Sequence, residues 1–150
     1  MIIFVSYSSK NRDLVNQLAH LLADTGYDVR YDQQLETGQQ WWDEILKDIR
    51  ECSIFLYALS PEYLDSYPCE LEHEYAEALN RYLLPVMIKH VDFQQVPSEI
   101  ALSQVLDFTD LNSREPFTKL VRALNHLAQQ SPQSLPTPLP PEPAAPISKL

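Results

Sequence analysis

Three features of this 150-residue chain predict an α/β fold with a parallel, doubly wound sheet. Short apolar runs alternate with amphipathic stretches of about 10 to 15 residues, the pattern of strands joined by right-handed helical crossovers. The central run Cys52–Leu59 (Cys-Ser-Ile-Phe-Leu-Tyr-Ala-Leu) is nearly all apolar and so reads as a strand covered on both faces. Stop signals also fall where elements should end, at Gly26 and at Ser60-Pro61.

Each element follows in order. Ile2–Ser6 is an apolar first strand. Asn11–Thr25 carries Leu14, Val15, Leu18, Ala19, Leu21 and Leu22 at helical spacing and stops at Gly26. Tyr27–Tyr31 is a short second strand, and Asp32–Gln39 a polar loop. Trp41–Glu51 is a helix burying Trp42, Ile45, Leu46 and Ile49, with Asp43 and Lys47 four apart outside. Cys52–Leu59 is the third strand and Pro68–Tyr82 the next helix, with Pro68 tolerated in its first turn. Leu84–Ile88 is the fourth strand. After the polar stretch Lys89–Ser98 comes Val105–Phe108 as the fifth, and the helix Pro116–Gln129 closes the domain. The expected architecture is a flavodoxin-like α/β sandwich with a five-stranded parallel sheet.

The length suits one domain, here residues 1–129. From Ser131 the chain changes character, with prolines 132, 136, 138, 140, 141, 143 and 146 and no hydrophobic period. Residues 130–150 therefore read as an extended, disordered linker or tail leading to a further module downstream. A proline-rich ligand for an SH3-type partner is the less favoured alternative. Lys+Arg 11 against Asp+Glu 21 gives a net charge of −10, all of it on the part before the tail. An acidic domain without a basic run argues against nucleic acid or an anionic membrane as partner. No stretch is long enough to span a bilayer, and the N-terminus lacks a signal-peptide pattern. Cys52 and Cys69 stand far apart and outside any metal-ligand spacing, which suits packed thiols in a reducing cytoplasm.

One carboxylate stands out. With Pro68–Tyr82 projected at about 100° per residue from Glu70, Leu71, Tyr75, Ala76, Ala78, Leu79 and Tyr82 fall between roughly 80° and 240°. Glu70, His73, Glu74, Glu77, Asn80 and Arg81 fill the other side. Glu72 falls at about 200°, between Leu79 and Ala76, as the one charged residue on the core face. An unpartnered buried carboxylate costs several kcal/mol, so compensation or a function is expected there. It should lie near a helix N-terminus, at the carboxyl edge of the sheet, where open α/β sheets put their ligand crevices. A rim Glu shielded by a loop, or one interacting with the helix dipole, is the plainer reading.

Several chemistries are excluded. Gly26 and Gly38 are the only glycines, so neither a dinucleotide fingerprint nor a P-loop is present. No His-x-x-x-His or Cys-x-x-Cys pair exists to hold a catalytic metal. Ser6, Ser8 and Ser9 lack a Gly-x-Ser-x-Gly elbow and default to helix capping, with Ser9 or Asn11 as N-cap. A phospho-acceptor regulator would need an acidic pair after the first strand and an Asp after the third. Here those strands end in Ser6-Tyr7 and Leu59-Ser60.

Four blocks in register now resemble a Toll/interleukin-1 receptor (TIR) domain of the bacterial type over about residues 1–129. They are Ile3-Phe4-Val5-Ser6-Tyr7-Ser8; Tyr31-Asp32 with Gly38 and Trp42; Leu59-Ser60-Pro61-Glu62-Tyr63-Leu64-Asp65-Ser66; and Cys69-Glu70-Leu71-Glu72. The last is similar to the Cys-x-x-Glu that carries the catalytic glutamate of TIR enzymes. The resemblance thus falls on the glutamate that helical projection had already singled out.

The family includes NAD⁺-cleaving enzymes and non-catalytic signalling adaptors. The resemblance implies an NAD⁺ glycohydrolase with Glu72 as catalytic residue, acting in signalling or defence. NAD⁺ would be substrate, with no cofactor. It places Tyr7, Ser8, Asp32, Trp42 and the motif's Cys69 at the substrate. It also makes the Asp32–Gln40 loop, with Leu35 and Gly38, a surface for self-association with other TIR domains. Cyclisation of ADP-ribose would need the same glutamate. One position departs from the pattern. Catalytic members often carry an aromatic, commonly Trp, before the Cys, and here that position is Pro68. Tyr67, one place earlier, is the expected substitute, and a non-catalytic adaptor is the alternative reading.

Overall fold

β-rich apolar runs form the strands, and their alternation sorts side chains between two helical layers. The computed structural model describes residues 1–31, 39–98, 105–130 and 133–146. Its elements are β1 (Ile2–Ser6), α1 (Arg12–Ala23), β2 (Asp28–Arg30), α2 (Gln39–Glu51), β3 (Ile54–Leu59), α3 (Pro61–Leu64), α4 (Tyr67–Ala78), β4 (Tyr82–Met87), β5 (Leu106–Asp107) and α5 (Arg114–Ala128). Among the described residues the sheet has five strands in the order β2-β1-β3-β4-β5, every pair parallel. The chain is an α/β doubly wound sandwich of flavodoxin-like form, as its sequence predicts.

All six residues of β3 are buried. Phe55, Tyr57 and Leu59 pack with Trp42, Ile45, Leu46 and Ile49 of α2 and with Tyr75 and Ala76 of α4. Ile54, Leu56 and Ala58 pack with Val15, Leu18 and Leu22 of α1 and with Leu120 and Leu124 of α5. Each large apolar side chain so covered contributes about 1.5 to 3 kcal/mol relative to exposure. Phe4 and Phe55, which are register partners on β1 and β3, stack with centroids 5.6 Å apart.

Most element ends shift by one or two residues from their expected places, and three further differences have a local reason. Helix α4 stops at Ala78 instead of running to Tyr82. Asn80 takes the left-handed conformation (φ 60), its N–H donates to the Glu77 carbonyl (3.0 Å), and the Arg81 N–H donates to the Ala76 carbonyl (3.0 Å). That is a Schellman ending with Asn in the usual glycine position. Tyr82 is thereby freed to start β4, two residues before the expected start. The second departure is α3, a short helix between β3 and α4 where the sequence reading placed no element. Ser60 caps it by accepting the Tyr63 N–H at 2.9 Å, with Pro61 in the first turn. Third, Asn11 stands at the N-cap of α1, yet its side chain makes no cap bond. Ser8 instead caps the 3-10 turn Ser9–Asn11, accepting from the Lys10 N–H.

The Asn11 side chain joins three loops at the carboxyl edge of the sheet. Ser60 Oγ donates to Asn11 Oδ1 (2.6 Å), and Asn11 Nδ2 donates to Glu62 Oε1 (3.0 Å). Lys89, just beyond β4, donates to the same Glu62 oxygen at 2.7 Å. Lys89 and then Asn11 hold the Glu62 carboxyl below its ordinary range. Beyond the domain, residues 133–146 take no helix or strand and lie against α2 and the α4–β4 turn, where Arg81 Nη2 donates to the Gln133 carbonyl at 2.8 Å.

Two predictions follow from these local features. A β-branched residue resists the left-handed region, so Asn80→Val should lower stability by about 1 to 2 kcal/mol in urea unfolding. Asn80→Gly should match or exceed wild type. At Glu62 the folded pKa is lowered, so its stabilisation is present above the ordinary carboxylate range and lost as pH falls through the folded value. Lys89→Met should therefore cost at most about 1 kcal/mol at pH 7, the pair being partly exposed. The gap from wild type should narrow in unfolding curves taken at successively lower pH, because protonating Glu62 removes from wild type the pair that the variant already lacks.

Candidate active site

The carboxyl edge of β1 and the start of α4 form a small cleft. Ser66 sets the register of α4 by accepting the Cys69 N–H at 3.3 Å, with Tyr67 and Pro68 in the first turn. This places Glu72 one turn into the helix, on the side facing the sheet. It is 7% exposed, and among the described residues it is the one buried acidic side chain. Helical projection had marked it for that place.

The cleft, of about 70 Å³, is lined by Phe4, Val5, Tyr7, Ser9, Arg12, Ile45 and Glu72. β1 supplies its floor, the β1–α1 turn supplies Tyr7 and Ser9, α1 begins with Arg12, and α2 closes the side with Ile45. Tyr7 is braced edge-on by Tyr31, centroids 6.2 Å apart. The cleft therefore combines a buried carboxylate, a guanidinium and a phenol on apolar walls. Such a combination can hold a polar ligand carrying both anionic and electron-deficient parts.

A buried polar chain backs Glu72. Ser6 and Tyr63 share a hydrogen bond at 3.1 Å between their hydroxyl oxygens. Burial, and then the nearby Glu72 charge, push the Cys69 thiol well above its ordinary range. Burial raises Tyr63 as well, with Cys69 and Glu72 adding to the effect. Both groups stay neutral near pH 7, so Cys69 is a packed thiol and not a nucleophile. Cys52 is likewise buried, free and pushed up to about 12 by desolvation.

The remaining residues named from the sequence are placed as follows. Tyr7 and Glu72 meet in the cleft. Ser8 is buried beside it as a cap. Trp42 is fully buried in the core, and its Nε1 donates to the Pro143 carbonyl at 2.8 Å. Cys69 is buried behind Glu72, and neither it nor Trp42 lines the cleft. Tyr67 is 60% exposed and does not line the cleft. Asp32, Leu35 and Gly38 lie outside the described residues. Sequence reading missed Arg12, Ser9 and Ile45. Arg12 follows Asn11 in what reads as an ordinary helix start, and Ile45 sits in a core stripe, so nothing local distinguished them. Among the described residues no three His, Cys, Asp or Glu side chains gather as a metal site. No described helix is long and apolar enough to cross a membrane.

Comparison with known proteins agrees with the fold that positions this cleft. The TIR domain of the Toll-related receptor TRR-2 from Hydra magnipapillata superposes with a TM-score of 0.68 at 16% identity, covering 85% of this chain and 98% of that one. The CMP N-glycosidase BcmB of Clostridium botulinum superposes with a TM-score of 0.57 at 14% identity, over 84% and 98% of the two chains. The TIR domains of the activated Roq1 resistosome, which recognises the pathogen effector XopQ, give 0.53 at 23% identity, over 86% and 84%. At these identities the superpositions establish the fold. The profile of the TIR domain family matches residues 3–123, and this chain belongs to that family.

Proposed function

We propose that this TIR domain is an NAD⁺ glycohydrolase, a signalling or defence effector that self-assembly switches on. The observation that carries the reading is Glu72, a carboxylate 7% exposed on the wall of a cleft it shares with Tyr7 and Arg12. Nicotinamide is bound to ribose as a cation and leaves neutral, so no general acid is needed. The bond from ribose C1′ to the ring nitrogen breaks, and its electron pair goes to the nitrogen. The oxocarbenium-like centre left behind is stabilised by the Glu72 carboxylate, more strongly for being out of water. Water then adds at C1′ and loses a proton, giving ADP-ribose, nicotinamide and H⁺. Arg12 is the cation for the dinucleotide's diphosphate. Tyr67, on the first turn of α4, is free to stack on the substrate from outside the described wall, in place of the aromatic that Pro68 displaces.

Two further observations support the reading. One structural relative is named as an N-glycosidase, and the proposed reaction also breaks an N-glycosidic bond. The cleft is far smaller than the roughly 300 to 1,000 Å³ of an ordinary ligand site. Dinucleotide entry then needs the walls to part or a neighbouring domain to complete the site, which suits activation by assembly. A relative's TIR domains are likewise taken from an activated assembly. A second reading, a non-catalytic TIR–TIR adaptor in signal transduction, is favoured by Pro68 before Cys69 and by the absence of Tyr67 from the cleft lining.

Nicotinamide release from NAD⁺ by concentrated protein decides between them. Glu72→Gln keeps volume and hydrogen bonding but removes the charge, and should lower release by about 100-fold or more. A Gln variant as fast as wild type removes Glu72 from the chemistry. Silence of both, from folded and assembled protein, leaves the adaptor. Arg12→Gln should raise KM about tenfold or more while sparing kcat, since a charged hydrogen bond is worth about 1.5 to 3 kcal/mol. Tyr67→Ala should slow turnover, and unchanged turnover takes that ring out of the site.

A further inference from the structure

The proline-rich tail carries a spacing that the catalytic reading leaves unused. Pro140, Pro143 and Pro146 fall every third residue, the repeat of a polyproline II helix. These three and Ala145 are partly buried, whereas Pro141, Glu142 and Ala144 are exposed. The segment therefore presents one proline edge to the domain.

The surface beneath is equally specific. Trp42 Nε1 donates to the Pro143 carbonyl at 2.8 Å. Arg50, two turns further along α2, pairs with Glu142 at 3.3 Å and also donates to the Tyr75 hydroxyl of α4 at 3.2 Å. Ala145 packs against the core cluster that contains Trp42, Ile45 and Tyr75. Trp41 packs beside Trp42, ring centroids 5.9 Å apart. An indole N–H, a guanidinium and an apolar floor thus meet a carbonyl, a carboxylate and a proline edge.

We propose that the outer face of α2 and α4 is a docking groove for a polyproline II segment, held in cis by residues 140–146 of this chain. The polyproline II conformation is largely preformed in such a sequence, so seating it orders little chain. Its backbone carbonyls carry no internal hydrogen bonds and are free to accept from Trp42. The short tether supplies an effective concentration on the order of millimolar, so a proline-rich segment from elsewhere competes against the chain's own. The groove stands whether or not the cleft cleaves NAD⁺.

The test reads the Trp42 indole N–H in the full chain by NMR, with Trp41→Phe separating the two indole signals. Pro140→Gly, Pro143→Gly and Pro146→Gly together keep every carbonyl but loosen the segment, and leave residues 1–130 untouched. Solvent exchange of the Trp42 N–H should then quicken at least tenfold and its resonance shift. Glu142→Arg should move it the same way. A peptide of residues 138–148 added to the triple variant should restore the wild-type signal saturably. Unchanged Trp42 exchange in both variants overturns the seating. A changed signal that the peptide does not restore overturns the groove, leaving only a tethered strap.

Discussion

Six consecutive buried residues, Ile54–Leu59, constrain everything around them. A strand with no wet face must hydrogen-bond on both edges and be covered on both sides, because an unpaired buried amide costs about as much as a lost hydrogen bond. β1 and β4 supply the edges, and the two helical layers supply the cover. The chain can leave such a strand only at its ends, where polar groups reappear. Ser60, fully buried at the carboxyl end, satisfies its hydroxyl with Tyr63 N–H and Asn11. That one side chain ties the loop after β1 to the loop after β3.

The cleft is a consequence of that tie. The loop after β1 has to turn back over the sheet edge to bring Asn11 to Ser60, and in doing so it carries Tyr7, Ser9 and Arg12 toward α4. Helix α4 starts where Ser66 caps it, and this cap sets which side chains face the sheet. Glu72 faces inward because it stands three positions after Cys69, which is itself buried, and so on the same side of the helix. A carboxylate so placed is the one buried acidic side chain among the described residues. The polar chain of Ser6 and Tyr63 behind it gives the helix–sheet contact hydrogen bonds that an apolar core would lack.

The α2 helix connects the two surfaces of functional interest. Ile45 forms one wall of the cleft, while Trp42, one turn earlier, donates its indole N–H to the Pro143 carbonyl of the tail. Movement of α2 relative to the sheet would therefore be felt at both. Tight packing transmits such shifts, since Trp42, Leu46 and Ile49 are fully buried and leave little slack.

The sequence alone determined the parallel sheet, the order of its elements and the odd position of Glu72. Those follow from local periodicity: apolar runs of strand length, helical spacing and a carboxylate out of phase with its own helix. Boundaries were less legible where a single residue overrode its neighbours. Nothing in the helical stripe through Tyr82 shows that Asn80 will turn left-handed and release Arg81 and Tyr82 to other tasks. The tertiary structure alone decided which residues share the cleft. Arg12, Ile45 and Glu72 come from three helices, so their meeting depends on crossovers and packing that no local pattern encodes. It also decided the fate of the tail. Composition predicts an extended tail, but its seat on Trp42 and Arg50 depends on an indole and a guanidinium about a hundred residues away in sequence.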